Sequence, residues 1–290
     1  MGAWVGMAVA VSGVACAQQA SFIAPTPEEL SMTALPGYPG AAAVVLNREE
    51  TTKDDLHAAF HYERIKILTK DGEKYANVEL PFVSVAQNSY SNTGDDKTLG
   101  EIAGRTIHAD GTIIPFTGKP YLKVLEKDKD VKVQERVFTL PDVEVGSIIE
   151  YRYATQIADN IYEAPDWYIQ GELYVKQAHY VWYPTSQELE TGRGTATTIT
   201  WFPILPAGVK IERRDIPHTQ FTTQPIQVFE LTIKDVPPEV KEAYMPPIAS
   251  FSYRVLFNYT AEHSAADWWK DEGKDWSKGM DSFADPNSEL

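Results

Sequence analysis

Six histidines and a large acidic complement are the residues with which this chain could do acid–base or metal chemistry, so their spacing comes first. His57 and His61 are four apart, which on a helix would set two imidazoles on one face as ligands of a single metal. The segment around them reads as a strand, where four residues cover about 13 Å, too far for one ion to bridge. His108, His179, His218 and His263 stand alone, without a Cys or carboxylate at a ligand spacing, and are expected to be ordinary core or surface histidines. Asp54-Asp55 and Asp95-Asp96 are paired carboxylates of the kind that bind calcium. Neither comes with the Asx-rich run that would complete six or more oxygen ligands, so solvated turn carboxylates are expected. Two carboxylates about 5–10 Å apart would serve glycoside hydrolysis. With 41 acidic residues in the chain such a pair arises in almost any fold, and it singles out nothing.

Nucleophilic chemistry is marked no better. Gly-x-Ser-x-Gly, Walker, His-Glu-x-x-His and dinucleotide patterns do not occur. The one cysteine, Cys16, sits in an Ala15-Cys16-Ala17 cleavage pattern behind the apolar run Ala3–Val14, which is too short to span a bilayer and reads as the core of a secretory signal. Residues 1–17 are therefore expected to be a signal peptide, with the mature protein exported to the periplasm or beyond and carrying no transmembrane segment apart from the signal. No Lys or Arg precedes Arg48, so the expected basic start of such a signal is missing and the start is read as having lost residues. Without Cys16 the mature chain has no thiol nucleophile, no disulfide and no cysteine-bound metal. No metal and no cofactor are expected. A formal charge of −15 argues against a nucleic-acid partner and against an anionic membrane surface.

Aromatics are the remaining residue class with a binding role to offer. Tyr162, Trp167, Tyr168, Tyr174, Tyr180, Trp182 and Tyr183 crowd one short span. Trp167, Tyr168, Tyr174 and Trp182 are the candidates for stacking on a sugar or holding a partner's apolar surface. The competing reading is cross-strand packing inside a sheet.

The elements that must position these residues are strands. In 147–155, Ile149, Tyr151 and Tyr153 alternate with Glu150 and Arg152; in 167–175, Trp167, Ile169, Leu173 and Val175 oppose Tyr168, Gln170, Glu172 and Tyr174; in 227–233, Phe229, Leu231 and Ile233 alternate with Val228, Glu230 and Thr232. A period of two over these lengths describes half-buried antiparallel strands with one wet face. Lys70-Asp-Gly-Glu73 and Asp110-Gly111 read as tight turns, and Leu140-Pro-Asp-Val-Glu-Val-Gly146 as a turn whose Pro and Gly lead into the strand from Ser147. Thr26-Pro-Glu-Glu29 is a capping box that predicts a short helix running to about Leu35, stopped by Pro36-Gly-Tyr-Pro-Gly40. Ser264-Ala-Ala-Asp267 is a second capping box, followed by Trp269, Gly273, Trp276 and Met280 on one helical stripe that needs a cover. The fold class expected is all-β: an extended antiparallel β-sandwich, either one large or two abutting, with a short N-terminal helix and a C-terminal helical segment. Its organisation would be a tether with the short helix over 18–43, the sandwich over 44–262 with a possible subdivision near 184, and a helical connector over 263–290.

Several pieces carry a family resemblance in their order and spacing. Thr26-Pro-Glu-Glu-Leu30, Tyr62-Glu-Arg-Ile-Lys-Ile-Leu-Thr69 with Gly72, Tyr75-Ala76 and Leu80-Pro-Phe82, Phe138-Thr-Leu-Pro141 with Gly146 and Glu150-Tyr-Arg-Tyr153, and Trp167-Tyr-Ile-Gln170 are similar to the domain of unknown function 3857 family, over roughly residues 26–280. The resemblance implies a bacterial, exported, all-β module standing before a transglutaminase-like core with a Cys, His and Asp triad. That triad does not transfer, because the mature residues include no Cys and thiolate attack is the step such an enzyme needs. The expectation is a non-catalytic module that positions or presents substrate to a covalently linked transglutaminase-like or cysteine-protease-like core beyond this sequence. The alternative is a stand-alone binding module for protein or cell-envelope polysaccharide.

Overall fold

The computed structural model describes residues 22–85, 97–128, 131–157, 162–185, 187, 189–191, 194–196, 198–217, 226–240, 242–261 and 265–284. Residues 1–17, read as a signal, and Asp95-Asp96, His218, His263, Ser264 and residues 285–290 lie outside them. In chain order the elements are α1 (Pro27–Ser31), β1 (Ala43–Lys53), β2 (Ala58–Ile67), β3 (Asn77–Val85), β4 (Lys97–Leu99), β5 (Ala103–Ile107), β6 (Ile113–Pro115), β7 (Tyr121–Asp128), β8 (Val131–Thr139) and β9 (Ile148–Ile157). There follow β10 (Asp166–Tyr168), β11 (Tyr174–Tyr183), β12 (Leu189–Thr191), β13 (Gly194–Ala196), β14 (Thr198–Ile204), β15 (Glu212–Ile216), β16 (Ile226–Val236), β17 (Arg254–Thr260) and α2 (Ala265–Ala284). The fold is mostly β with a helix toward each end, as the alternating patterns require.

One large sheet runs β15-β16-β11-β1-β2-β9-β5-β6, with β4 also on β9, and two three-stranded sheets, β10-β17-β14 and β3-β8-β7, pack on it. Every pair in the large sheet is antiparallel except its centre, where β1 and β11 run parallel. Alternation reports which faces are buried and is blind to the direction of the neighbour, so the parallel pair left no trace in the sequence. Trp167 of β10 and Phe257 of β17 pack on Tyr180 and Trp182 of β11, while Phe138 of β8 meets Tyr151 of β9 edge-on. These contacts join the three sheets in one core with Ile65, Ile67, Ile149, Ala178, Phe229, Leu231 and Ile233.

The other face of the large sheet is covered by the chain's own N-terminal segment. Leu35 is buried there with Val44, Leu46, Leu68, Ile107 and Ile148, with Leu30, Met32 and Tyr38 packed around them. Residues 22–42, expected as a tether, are thus docked. The capping box is formed, with Thr26 and Glu29 bonded reciprocally, but α1 ends at Ser31, short of Leu35. Glu150, expected on a wet face, is fully buried under this strap. The charge is tolerated because Tyr62 donates to it at 2.7 Å and the Arg64 and Arg105 guanidiniums each donate at 2.5 Å. Those arginines also reach the Ile23 carbonyl, and Arg64 pairs with Glu29. Buried Lys66 donates to the carbonyls of Leu30 and Gly146. Its pKa is lowered by burial, with Glu29 opposing the shift.

Two local expectations change. Lys70–Glu73 opens a 3-10 segment, Lys70–Ala76, in which a side chain on Gly72 would run into the Ala42 carbonyl. The long strand expected from Trp167 is two strands, since the chain leaves β10 for β11 across 169–173. The period of two survives the crossing because both sheets bury the same set of alternate residues in a shared core. The Leu140–Gly146 turn forms as read, with Gly146 at a φ of 93° and its amide on the Ile67 carbonyl.

Candidate functional site

Because β1 and β2 are antiparallel neighbours, the alternating charges Arg48, Glu50 on one and His61, Glu63 on the other meet as direct cross-strand partners: Arg48 opposite Glu63, Glu50 opposite His61. β11 and β9 extend both rows. Tyr180 lies beside Glu50 and Tyr153 beside His61. Paired residues share a face, and this face also carries Trp182 and Tyr151, against which the two small sheets pack. Between the covers remains an open cleft lined by Arg48, Glu50, His61, Glu63, Tyr153, Tyr180 and the exposed Tyr168.

Its electrostatics follow from the pairings. Arg48 donates to both Glu63 oxygens, at 2.7 and 3.3 Å, and to the Ile169 carbonyl at 3.2 Å. Burial works against the guanidinium charge, but Glu63 and Tyr180 outweigh it and hold the pKa above the ordinary arginine value. Glu50 is less well satisfied: among the described residues its ion-pair partner is His61, Nδ1 to Oε2 at 3.5 Å. The His61 ring stacks on Tyr153, 4.5 Å between centroids and 15° from parallel. Burial pushes the Tyr180 phenol up to about 12 and raises that of Tyr153 too, with Glu50 and Glu63 adding to the effect at both and Arg48 opposing it. Both phenols are therefore neutral donors at physiological pH.

Thr155 Oγ1 lies 3.3 Å from His61 Nε2, so Thr155, His61 and Glu50 form a hydroxyl–imidazole–carboxylate line. Acyl transfer needs more than that line, because the tetrahedral oxygen must meet preorganised donors. β9 is flanked here by β2 on one side and β4 on the other, which commits the strand amides beside Thr155 to ladder bonds. What the cleft offers is the Tyr153 ring and an incompletely paired carboxylate.

A second cluster lies where β1, β11 and β17 converge. Asp54, expected as a solvated turn carboxylate, is 4% exposed. It accepts from Trp182 Nε1 at 2.9 Å, from the Thr185 amide at 3.2 Å and from the Tyr259 hydroxyl. Burial lifts its pKa to about 6 against these bonds, which favour the charged form. The cluster is closed to solvent and knits three strand ends together.

The four aromatics chosen from sequence fall in different places. Trp167 and Trp182 are fully buried core residues and present no face to a ligand. Tyr168 meets the cleft through its carbonyl, which accepts from Tyr180; its ring, 61% exposed, alternates with buried Trp167 and donates its hydroxyl to Asp166 on the far face of β10. Tyr174 belongs to a separate groove beside Tyr38, its hydroxyl donated to Asp235 at 2.8 Å. Of the two close histidines, His57 sits at the turn after β1 against Tyr162, and His61 in the cleft. Arg48, Glu50, Glu63 and Tyr153 were not singled out by sequence as site residues, and Asp54 was read as a solvated turn carboxylate. The i, i+2 opposite charges flanking a hairpin were the available signal, and they become cross-strand pairs only when the register is known.

Compared with known proteins, residues 53–264 match the profile of the family described as "Domain of Unknown Function with solved-structure structure" (DUF3857). No curated protein matches the chain. Among solved structures the chain resembles a "putative protease" from Parabacteroides distasonis ATCC 8503, with 16% identity and a TM-score of 0.55 over 76% of this chain. The match spans 41% of the length of that protein, and it is a likeness of fold.

Proposed function

This chain belongs to the DUF3857 family, and from that premise we propose that it is a non-catalytic β module that docks a polypeptide segment and presents it to a catalytic core elsewhere in a longer protein. The carrying observation is the cleft itself: an open trough between two covering sheets, with Glu50, His61 and Tyr153 along it and no donors arranged for a reaction intermediate among the described residues. The fold shared with part of a longer protein named as a protease supports a role beside such a core. The resemblance of the family pieces to modules that precede transglutaminase-like domains supports the same arrangement. The apolar run 3–14 and Ala15-Cys16-Ala17 support export as its setting.

The test is fluorescence anisotropy of a labelled, unfolded, cysteine-alkylated ribonuclease A titrated with the chain at physiological salt. Saturable binding that weakens at least fivefold in Tyr153→Ala is expected, with the polypeptide intact on a gel after overnight incubation. Binding indifferent to that variant would remove the cleft from the proposal. Fragments generated by the chain alone would overturn the non-catalytic reading, and displacement of the polypeptide by peptidoglycan oligosaccharides would move it toward glycans.

A further inference from the structure

We propose that the cleft selects a segment bearing a cationic side chain, a lysine or arginine, whose charge is received by Glu50 near the ring of Tyr153. This rests on the docking role proposed above and specifies what is docked.

The inventory of charge on the cleft face carries it. Glu63 is neutralised by a two-point bond with Arg48, which is further tied to the Ile169 carbonyl and so held in place. Among the described residues Glu50 has no such guanidinium; His61 stands beside it at 3.5 Å and is itself held by its stack on Tyr153 and by Thr155 at 3.3 Å. The Glu50 side chain is 19% exposed, far enough out of water for a carboxylate to gain from a second donor and open enough to be reached. In the same cleft the half-buried Tyr153 ring gives the stem of such a side chain an apolar surface to pack along. Tyr180 is core, 1% exposed, and donates its hydroxyl to the Tyr168 carbonyl at 3.2 Å, so the floor of the cleft is held rigid. The space is about 440 Å³ including the part open to solvent, room for one long side chain and little more. An incoming carboxylate would meet Glu50 and Glu63 with Arg48 already engaged. A net charge of −15 over the chain adds a field that draws cations toward it.

The experiment uses the isotope-labelled chain, two-dimensional amide NMR, and two probes at 150 mM salt: Nα-acetyl-lysine methylamide and its norleucine counterpart, which matches the stem and lacks the ammonium. The lysine probe is expected to shift amides of β1 and β2 around Glu50 and His61, with the norleucine probe at least tenfold weaker. Glu50→Gln should weaken the lysine probe at least fivefold, and Tyr168→Ala, whose ring lies on the far face of β10, should leave it unchanged. Equal shifts from both probes at the cleft would overturn the cation selectivity and leave the docking role standing. Shifts scattered over the surface and unchanged in Glu50→Gln would overturn it as diffuse attraction to an acidic protein. Failure of both probes, together with failure of the unfolded polypeptide to bind, would sink the docking role as well.

Discussion

Asp54 shows how much one side chain's meaning depends on its surroundings. In sequence it is half of an Asp-Asp pair at a turn; in the fold it is a buried carboxylate held by an indole, an amide and a phenol. Its folded pKa of about 6 lies above the ordinary 3.8, so burial penalises the ionised form. A carboxyl raised in this way contributes stability that is present below about pH 4 and lost as pH rises through 6. Between pH 7 and pH 5 that contribution grows by about 1.4 kcal/mol. Urea unfolding at both pH values should therefore show a gain in the native protein that is smaller by about that amount in Asp54→Asn; equal gains would show that Asp54 is not the titrating group. Tyr259→Phe, which removes one donor while the carboxylate is ionised, is expected to cost about 1–3 kcal/mol at pH 7 by the same measurement. For Trp167→Ala the expectation is a loss of about 3–5 kcal/mol, the price of a cavity in the shared core. Its measured effect should be on the unfolding midpoint.

At the scale of elements, the N-terminal strap and the turn into β9 determine whether buried charge is tolerable. Arg64, Lys66, Arg105 and Glu150 lie on the sheet face that the strap covers, and Ile23, Glu29 and Leu30 supply acceptors to the cations. A chain lacking residues 1–31 leaves Arg64 and Lys66 without these partners. Its loss is expected to be on the order of 3 kcal/mol, read as a lower urea midpoint with unchanged strand content by circular dichroism. A midpoint unchanged by the deletion would mean that water replaces the strap at no cost. Gly146, at a φ of 93°, gives its amide to Ile67 and its carbonyl to Lys66, so it fixes the start of β9 and caps a buried ammonium together. The strap also accounts for the docked state of a stretch whose Pro and Gly content reads as a tether. Pro36-Gly-Tyr-Pro-Gly40 bends the chain back so that Tyr38 can reach Tyr174, 5.0 Å between ring centroids.

Taken whole, the molecule is one large sheet with one face divided between two small sheets and the other under its own N-terminal segment, and the cleft exists because the two covers do not meet. The charge of −15 belongs to this scale too. Self-repulsion over the surface predicts that the melting temperature rises as salt goes from about 20 to 300 mM, where the Debye length falls from roughly 20 to 6 Å. A fall would mean that surface ion pairs outweigh the repulsion. α2 carries Trp269, Trp276, Met280 and Phe283 exposed, with Trp268 and Trp269 resting on Phe202 of β14, so the apolar stripe foreseen there is present as a surface feature. By itself the sequence determined the β class, the alternating core positions, the capping box, the Gly146 turn and the family, because each is written in local periodicity, in turn chemistry or in the order of short pieces. Only the tertiary structure decided that Glu150 and Asp54 are buried, that β1 and β11 run parallel, that Trp167 and Trp182 are core while Tyr168 is surface, and that Arg48, Glu50, His61 and Glu63 meet. Those facts depend on which strands become neighbours and what covers each face, and a period of two records that a face is buried without recording by what.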